Sequence, residues 1–109
     1  MSRRDEQRLA DIAGALEAIG HHLERGTLDD GFVVDAVRVR LVEIGEAVKA
    51  IDRRVLESES EIPWDAVAGM RDHLTHHSFD TSHAIVRATI DNDLPALEAS
   101  VRRIRARIS

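Results

Sequence analysis

The 109-residue chain contains no cysteine. Disulfides, thiolate metal centres and cysteine nucleophiles are therefore excluded. Tyrosine is also absent, and the aromatic residues are only Phe32, Trp64 and Phe79. Lys49 is the one lysine, so the positive charge is almost entirely arginine. Arginine favours forked contacts to carboxylate or phosphate over diffuse attraction. No apolar run approaches the roughly 20 residues that cross a bilayer. The charged start, Met1 to Gln7, lacks the apolar centre of a secretory leader. A cytoplasmic location away from membranes is expected. The formal net charge is −5. That speaks against a general nucleic-acid binder, because phosphate neutralisation needs clustered basic residues. Any site for nucleic acid has to be local.

What is present is helical periodicity. Leu9, Ile12, Leu16, Ile19 and Leu23 recur at spacings of three and four, predicting a first helix from about Asp5 to Glu24. Gly26 follows as its expected left-handed stop, and Asp29 and Asp30 as caps for the next helix. Val34, Val37, Leu41, Ile44, Val48, Ile51 and Val55 extend the pattern to about Leu56. Val33, Ala36 and Val39 add a second partial stripe, which suggests more than one neighbour, including a second copy of the chain.

Glu57 to Glu61 reads as a loop. Pro63 suits the first turn of a third helix, carrying Trp64, Val67, Met70 and Leu74 inward and ending near His77. Asp80 or Thr81 is the expected cap of a fourth helix, with Ile85, Ala88 and Thr89 facing in. Asn92 and Asp93 are expected to break it. Asp93 would cap a fifth helix, with Pro95 in its first turn and Leu97, Val101, Ile104 and Ile108 as its stripe. Short connections between such helices predict one domain, residues 1–109: an all-α antiparallel helical bundle of about five helices.

Chemistry concentrates between Gly69 and Phe79. Four of the histidines, His73, His76, His77 and His83, fall between positions 73 and 83. Arg71 stands five residues before His76, which puts the two about 140° apart on an ideal helix. They converge only if the helix tightens or frays at its end. An imidazole suits removal of a proton from a ribose 2′-hydroxyl, since it titrates near neutral pH. A guanidinium suits the charge that builds on the phosphate oxygens. Asp72 can orient Arg71 or the substrate. No metal or cofactor is required. Two other readings remain open. The histidines can simply complement the negative end of a helix. Alternatively His73, His76 and His77, at i, i+3 and i+4, can ligate zinc, although the HExxH glutamate is missing.

The run Ile62-Pro63-Trp64, then Gly69-Met70-Arg71-Asp72, then His76 and Phe79-Asp80, resembles the HepT-type members of the HEPN superfamily. Ile44-Gly45-Glu46-Ala47 is similar to that family's Gly-Glu-Ala segment, and Asp93-Leu94-Pro95 to the start of its last helix. The resemblance implies a metal-independent endoribonuclease toxin that dimerises, with two Arg–His pairs in a shared cleft. It implies Arg71 and His76 as catalytic residues, with Asp72 and Glu46 supporting the arginine. The implied partners are tRNA or mRNA, not DNA, and an MntA-like nucleotidyltransferase antitoxin. Where the family carries the tyrosine that receives AMP, this chain has Ser78. Either Ser78 is modified instead, or neutralisation works by binding alone, or the control is lost. A non-catalytic partner of a nucleotidyltransferase is the alternative function.

Overall fold

Ser2 opens the first helix, α1 (Arg3–Arg25), by accepting the Asp5 N–H at 3.1 Å. The computed structural model describes residues 1–108. Leu9, Ile12, Leu16 and Ile19 of α1 are buried, as their spacing predicts. The helix stops at Gly26 in extended backbone (φ −176°), not through the left-handed cap expected there. Asp30 then accepts the Phe32 N–H at 2.9 Å and starts α2 (Gly31–Ala50). Val34, Val37, Leu41, Ile44 and Val48 line its inner face. Val33 is buried beside them, whereas Val39 of the second partial stripe is 54% exposed.

The second helix ends earlier than its apolar spacing predicts. Ile51 turns to extended backbone, and Asp52 accepts the Arg54 N–H at 2.9 Å to begin a short helix, α3 (Arg53–Leu56). Ile51 and Leu56 are both buried, so the apolar register survives the break and conceals it. The Asp52 N–H bonds to Asp5 Oδ1 at 3.1 Å, which ties the break to α1. Glu57–Glu59 forms a 3-10 turn within the segment read as loop. The Glu59 side chain is held by Arg103 Nη2 at 2.6 Å and Arg107 Nη2 at 3.0 Å. Its carbonyl accepts Trp64 Nε1 at 2.9 Å.

The expected third helix is two segments, α4 (Trp64–Ala68) and α5 (Met70–Thr75), joined by a bend at Gly69. Both cross α2 at Gly45. A Cβ there would lie 2.8 Å from Val67 O and 3.1 Å from Met70 Cβ. Only glycine permits so close an approach between backbone segments. Trp64 and Leu74 are buried, while Val67 and Met70 are half-buried.

The next helix, α6 (Phe79–Ala88), is capped by Ser78 and not by Asp80 or Thr81. It buries Ser82 and Val86 and leaves Ala88 exposed. Asn92 and Asp93 do not break the chain. A π turn over Thr89–Asp93 carries α6 directly into α7 (Leu94–Ile108). The Leu94 N–H reaches back to Thr89 O. The π turn takes up one extra residue just before Pro95, and the helix continues past the proline. Leu97, Val101 and Ile104 of α7 join one apolar cluster with α1, α2 and the middle helices. There is no strand among the described residues, and none of their helices is long and apolar enough to cross a membrane.

Candidate active site

Leu74 anchors α5. It is buried, and its carbonyl accepts the Ser82 hydroxyl at 2.8 Å. Burying a leucine is worth about 1.5–3 kcal/mol, so the short helix is fixed by its inner face while its outer face is free. That outer face carries Arg71, Asp72, His73 and Thr75, with His76 at the C-cap.

Arg71 meets Glu46 across the α2–α5 contact, with Nη1 3.5 Å from Glu46 Oε1. The side chains are 62% and 46% exposed. Ion pairs this open contribute about 0–1 kcal/mol to stability. The contact therefore adds little to the stability of the fold; it places the guanidinium beside Glu46. Gly45 next to Glu46 is what lets α5 come this near, because any side chain there would push the two helices apart. The Thr75 hydroxyl donates to Arg71 O at 2.8 Å and reinforces the single turn between them.

His76 ends α5 with its N–H on Asp72 O at 3.0 Å. The α-type hydrogen bonding thus runs to the motif histidine, and the backbone does not tighten to swing it under Arg71. Among the described residues no hydrogen bond or ion pair links Arg71 to His76, and the Asp72 carboxylate has no partner. The structure brings Glu46 and Arg71 together. It leaves Asp72 and His76 open to solvent on the same helix. A phosphate reaching both Arg71 and His76 would have to bridge them.

The other histidines take separate roles. His73 and His77 stack on each other with centroids 5.7 Å apart at 27°. Among the described residues no three His or carboxylate side chains converge on a common point for a metal ion. His83 Nε2 donates to Leu28 O at 3.0 Å. Ser78 accepts the Thr81 N–H at 3.3 Å and lies 3.0 Å from Thr81 Oγ1, to which its hydroxyl donates. Its oxygen is thus a working cap as well as an exposed hydroxyl. Ser82, which fixes the end of α5, gave no signal in the sequence beyond a serine in helical register.

These helices, closed around one apolar cluster with a carboxylate-held arginine and an open imidazole on α5, define an all-α bundle of the HEPN-like kind. A family model described as "Ribonuclease HepT-like" matches residues 9–104. The chain is 39% identical over 85 residues to a Caldanaerobacter subterraneus protein named "Putative RNase", covering 73% of this chain and 76% of that one. It is 34% identical over 110 residues to "Probable ribonuclease HepT" of Thermococcus cleftensis, covering 96% and 99%. No solved structure matches it. The chain belongs to the HepT-like ribonuclease family.

Proposed function

We propose that this chain is a metal-independent endoribonuclease toxin, a single helical domain working as a homodimer in the cytoplasm. The observation that carries the reading is the pairing of Arg71 with Glu46 on the family's motif helix, beside an unengaged His76. His76 takes the proton from a ribose 2′-hydroxyl. The 2′-oxygen bonds to phosphorus, the bond from phosphorus to the 5′-oxygen breaks, and the departing oxygen takes up a proton. Arg71 binds the non-bridging oxygens as charge gathers there, and Glu46 holds the guanidinium in place, with Asp72 beside it. The products are a cyclic phosphate and a 5′-hydroxyl.

A dimer is supported by the outer face of α2. Phe32 is 89% and Val39 is 54% exposed. With Ala36 between them, these residues form a stripe that continues into Glu43 and Glu46 at helical spacing. A second copy covering that stripe would set a second motif helix near the first. It would also supply the convergence on phosphate that one copy lacks.

Partnership with an MntA-like nucleotidyltransferase follows from the family resemblance. AMP attached to Ser78 would remove the proton that its hydroxyl gives to Thr81 and crowd the first turn of α6. This favours neutralisation by binding over modification at that serine. The same partnership without catalysis is the second reading, favoured by the absence of any Arg71–His76 contact. The two are separated by incubating purified protein with total RNA, tRNA and mRNA included, in the presence of a chelator. Fragments with 5′-hydroxyl ends are expected. Intact RNA, or cleavage only when metal is added, contradicts the proposal.

A further inference from the structure

Phe79 opens α6 three residues after His76 and is 60% exposed. The chain has two phenylalanines, one tryptophan and no tyrosine, and the tryptophan is buried. Phe79 is the aromatic ring that stands in solvent beside the motif. Its neighbours along the chain, His76, His77, Ser78 and Asp80, are all exposed and polar.

The ring is nevertheless held. It meets the His83 imidazole with centroids 6.1 Å apart at 79°. His83 is fixed in turn by its hydrogen bond to Leu28 O, in the turn between α1 and α2. Arg87 Nη2 and Asp29 Oδ1, at 2.9 Å, join the same two elements one turn further on. Phe79 thus offers an exposed ring that a single edge contact steadies against His83, which reduces the freedom lost when a flat group lies on it.

We propose that Phe79 is a stacking platform for an unpaired nucleobase adjoining the phosphate held at Arg71 and His76. The inference rests on the ribonuclease reading above. It adds a residue that touches substrate and the requirement that this base be free of a duplex. Bases already stacked and paired cannot offer a face to a protein ring, whereas bases in loops and single strands can. Phe79 therefore directs the site to unpaired RNA.

The test uses binding in a His76→Ala background, which keeps the RNA intact, with a short single-stranded RNA carrying 2-aminopurine as the probe. Stacking quenches that fluorophore. Phe79→Ala should weaken binding roughly 5- to 150-fold, the range that one base–aromatic stack is worth, and abolish the quenching. Phe79→Trp should restore both. Phe79→Leu, apolar but without a π face, should restore neither. The ring is exposed, so these changes leave the fold intact. Unchanged binding by Phe79→Ala overturns the proposal, as does full rescue by leucine. Light scattering in which Phe79→Ala turns a dimer into a monomer also overturns it, because a second copy would then cover the ring. If protein with native His76 cleaves RNA and Phe79→Ala binds normally, only the stack falls. If it leaves RNA intact, the ribonuclease reading falls as well.

Discussion

Replacing glycines by alanine should give opposite results at helix positions that look alike in the sequence. Gly14 and Gly20 lie inside α1 with nothing within 4 Å of an added Cβ. Alanine there should stabilise by about 0.5–1 kcal/mol each, through reduced freedom of the unfolded chain. Gly45 lies inside α2, where the same Cβ would sit 2.8 Å from Val67 O and 3.1 Å from Met70 Cβ. The carbonyl is backbone and cannot rotate away. Carbon–oxygen contacts settle near 3.3–3.6 Å, so α4 and α5 must retreat by roughly half an ångström. Overpacking of this kind costs about 1–3 kcal/mol, against about 1 kcal/mol of helix propensity gained. Gly45→Ala should therefore lose up to about 2 kcal/mol net, and stand roughly 1–3 kcal/mol below Gly14→Ala. For a domain this size each kcal/mol moves Tm by about 4–8 °C. Thermal melts followed by circular dichroism read the difference. Gly45→Ala melting as high as Gly14→Ala and Gly20→Ala would refute the claim that close approach, and not helix chemistry, demands this glycine.

Acid should loosen the contact between the α3–α4 connection and α7. The hydrogen bond from Arg103 to Glu59 holds that carboxyl down to about 2, from 4.5. In that interval the unfolded chain binds more protons, so stability rises with pH. The Glu59 contribution should be complete above pH 4.5 and fade as pH falls toward about 2. Urea midpoints measured against pH should lose that slope in Glu59→Gln, which should also be less stable at neutral pH; an unchanged slope contradicts the assignment. Ser78→Ala should cost about 1 kcal/mol of stability, the usual worth of an N-cap, while cleavage persists. Loss of cleavage without loss of stability would give Ser78 a chemical role instead. Light scattering at micromolar concentration should give twice the 12.1 kDa chain mass, and a Val39→Glu variant should shift it to one copy. A monomer in the parent protein contradicts the shared cleft.

The long helices were readable because each buries one face at a regular spacing. Leu9 to Ile19, Val34 to Val48 and Leu97 to Ile104 point to the core as their periods require. The breaks were not readable in the same way. Ile51 and Leu56 are buried on either side of the Asp52 turn, so hydrophobic rhythm passes through it unaltered. At Gly69 the bend serves an approach to Gly45, a partner distant in sequence. Asn92, Asp93 and Pro95 carry every local mark of a helix stop, yet the π turn accommodates them. Asp80 and Thr81 drew attention as caps because they suit the role, but Ser78 had already taken it.

At the site, Glu46 and Arg71 come from different helices, and no periodicity connects them. The resemblance implied Glu46 as support for Arg71, and the two side chains lie 3.5 Å apart. Arg71 and His76 do not touch, as their five-residue spacing on a regular helix dictates. Phe79 entered the sequence reading only as one of three aromatic residues and as part of the family-like run; its exposure and its contact with His83 belong to the folded chain.

The claim on which the account depends is that Arg71 and His76 act on one phosphate. Single-turnover cleavage of an end-labelled RNA, in chelator, should be compared for the parent protein, Arg71→Ala, His76→Ala and the double variant. Each single change should slow cleavage about 100-fold or more, and the double should be little slower than the worse single, as for groups that work as a unit. Full cleavage by either single variant, with the fold intact, contradicts the account.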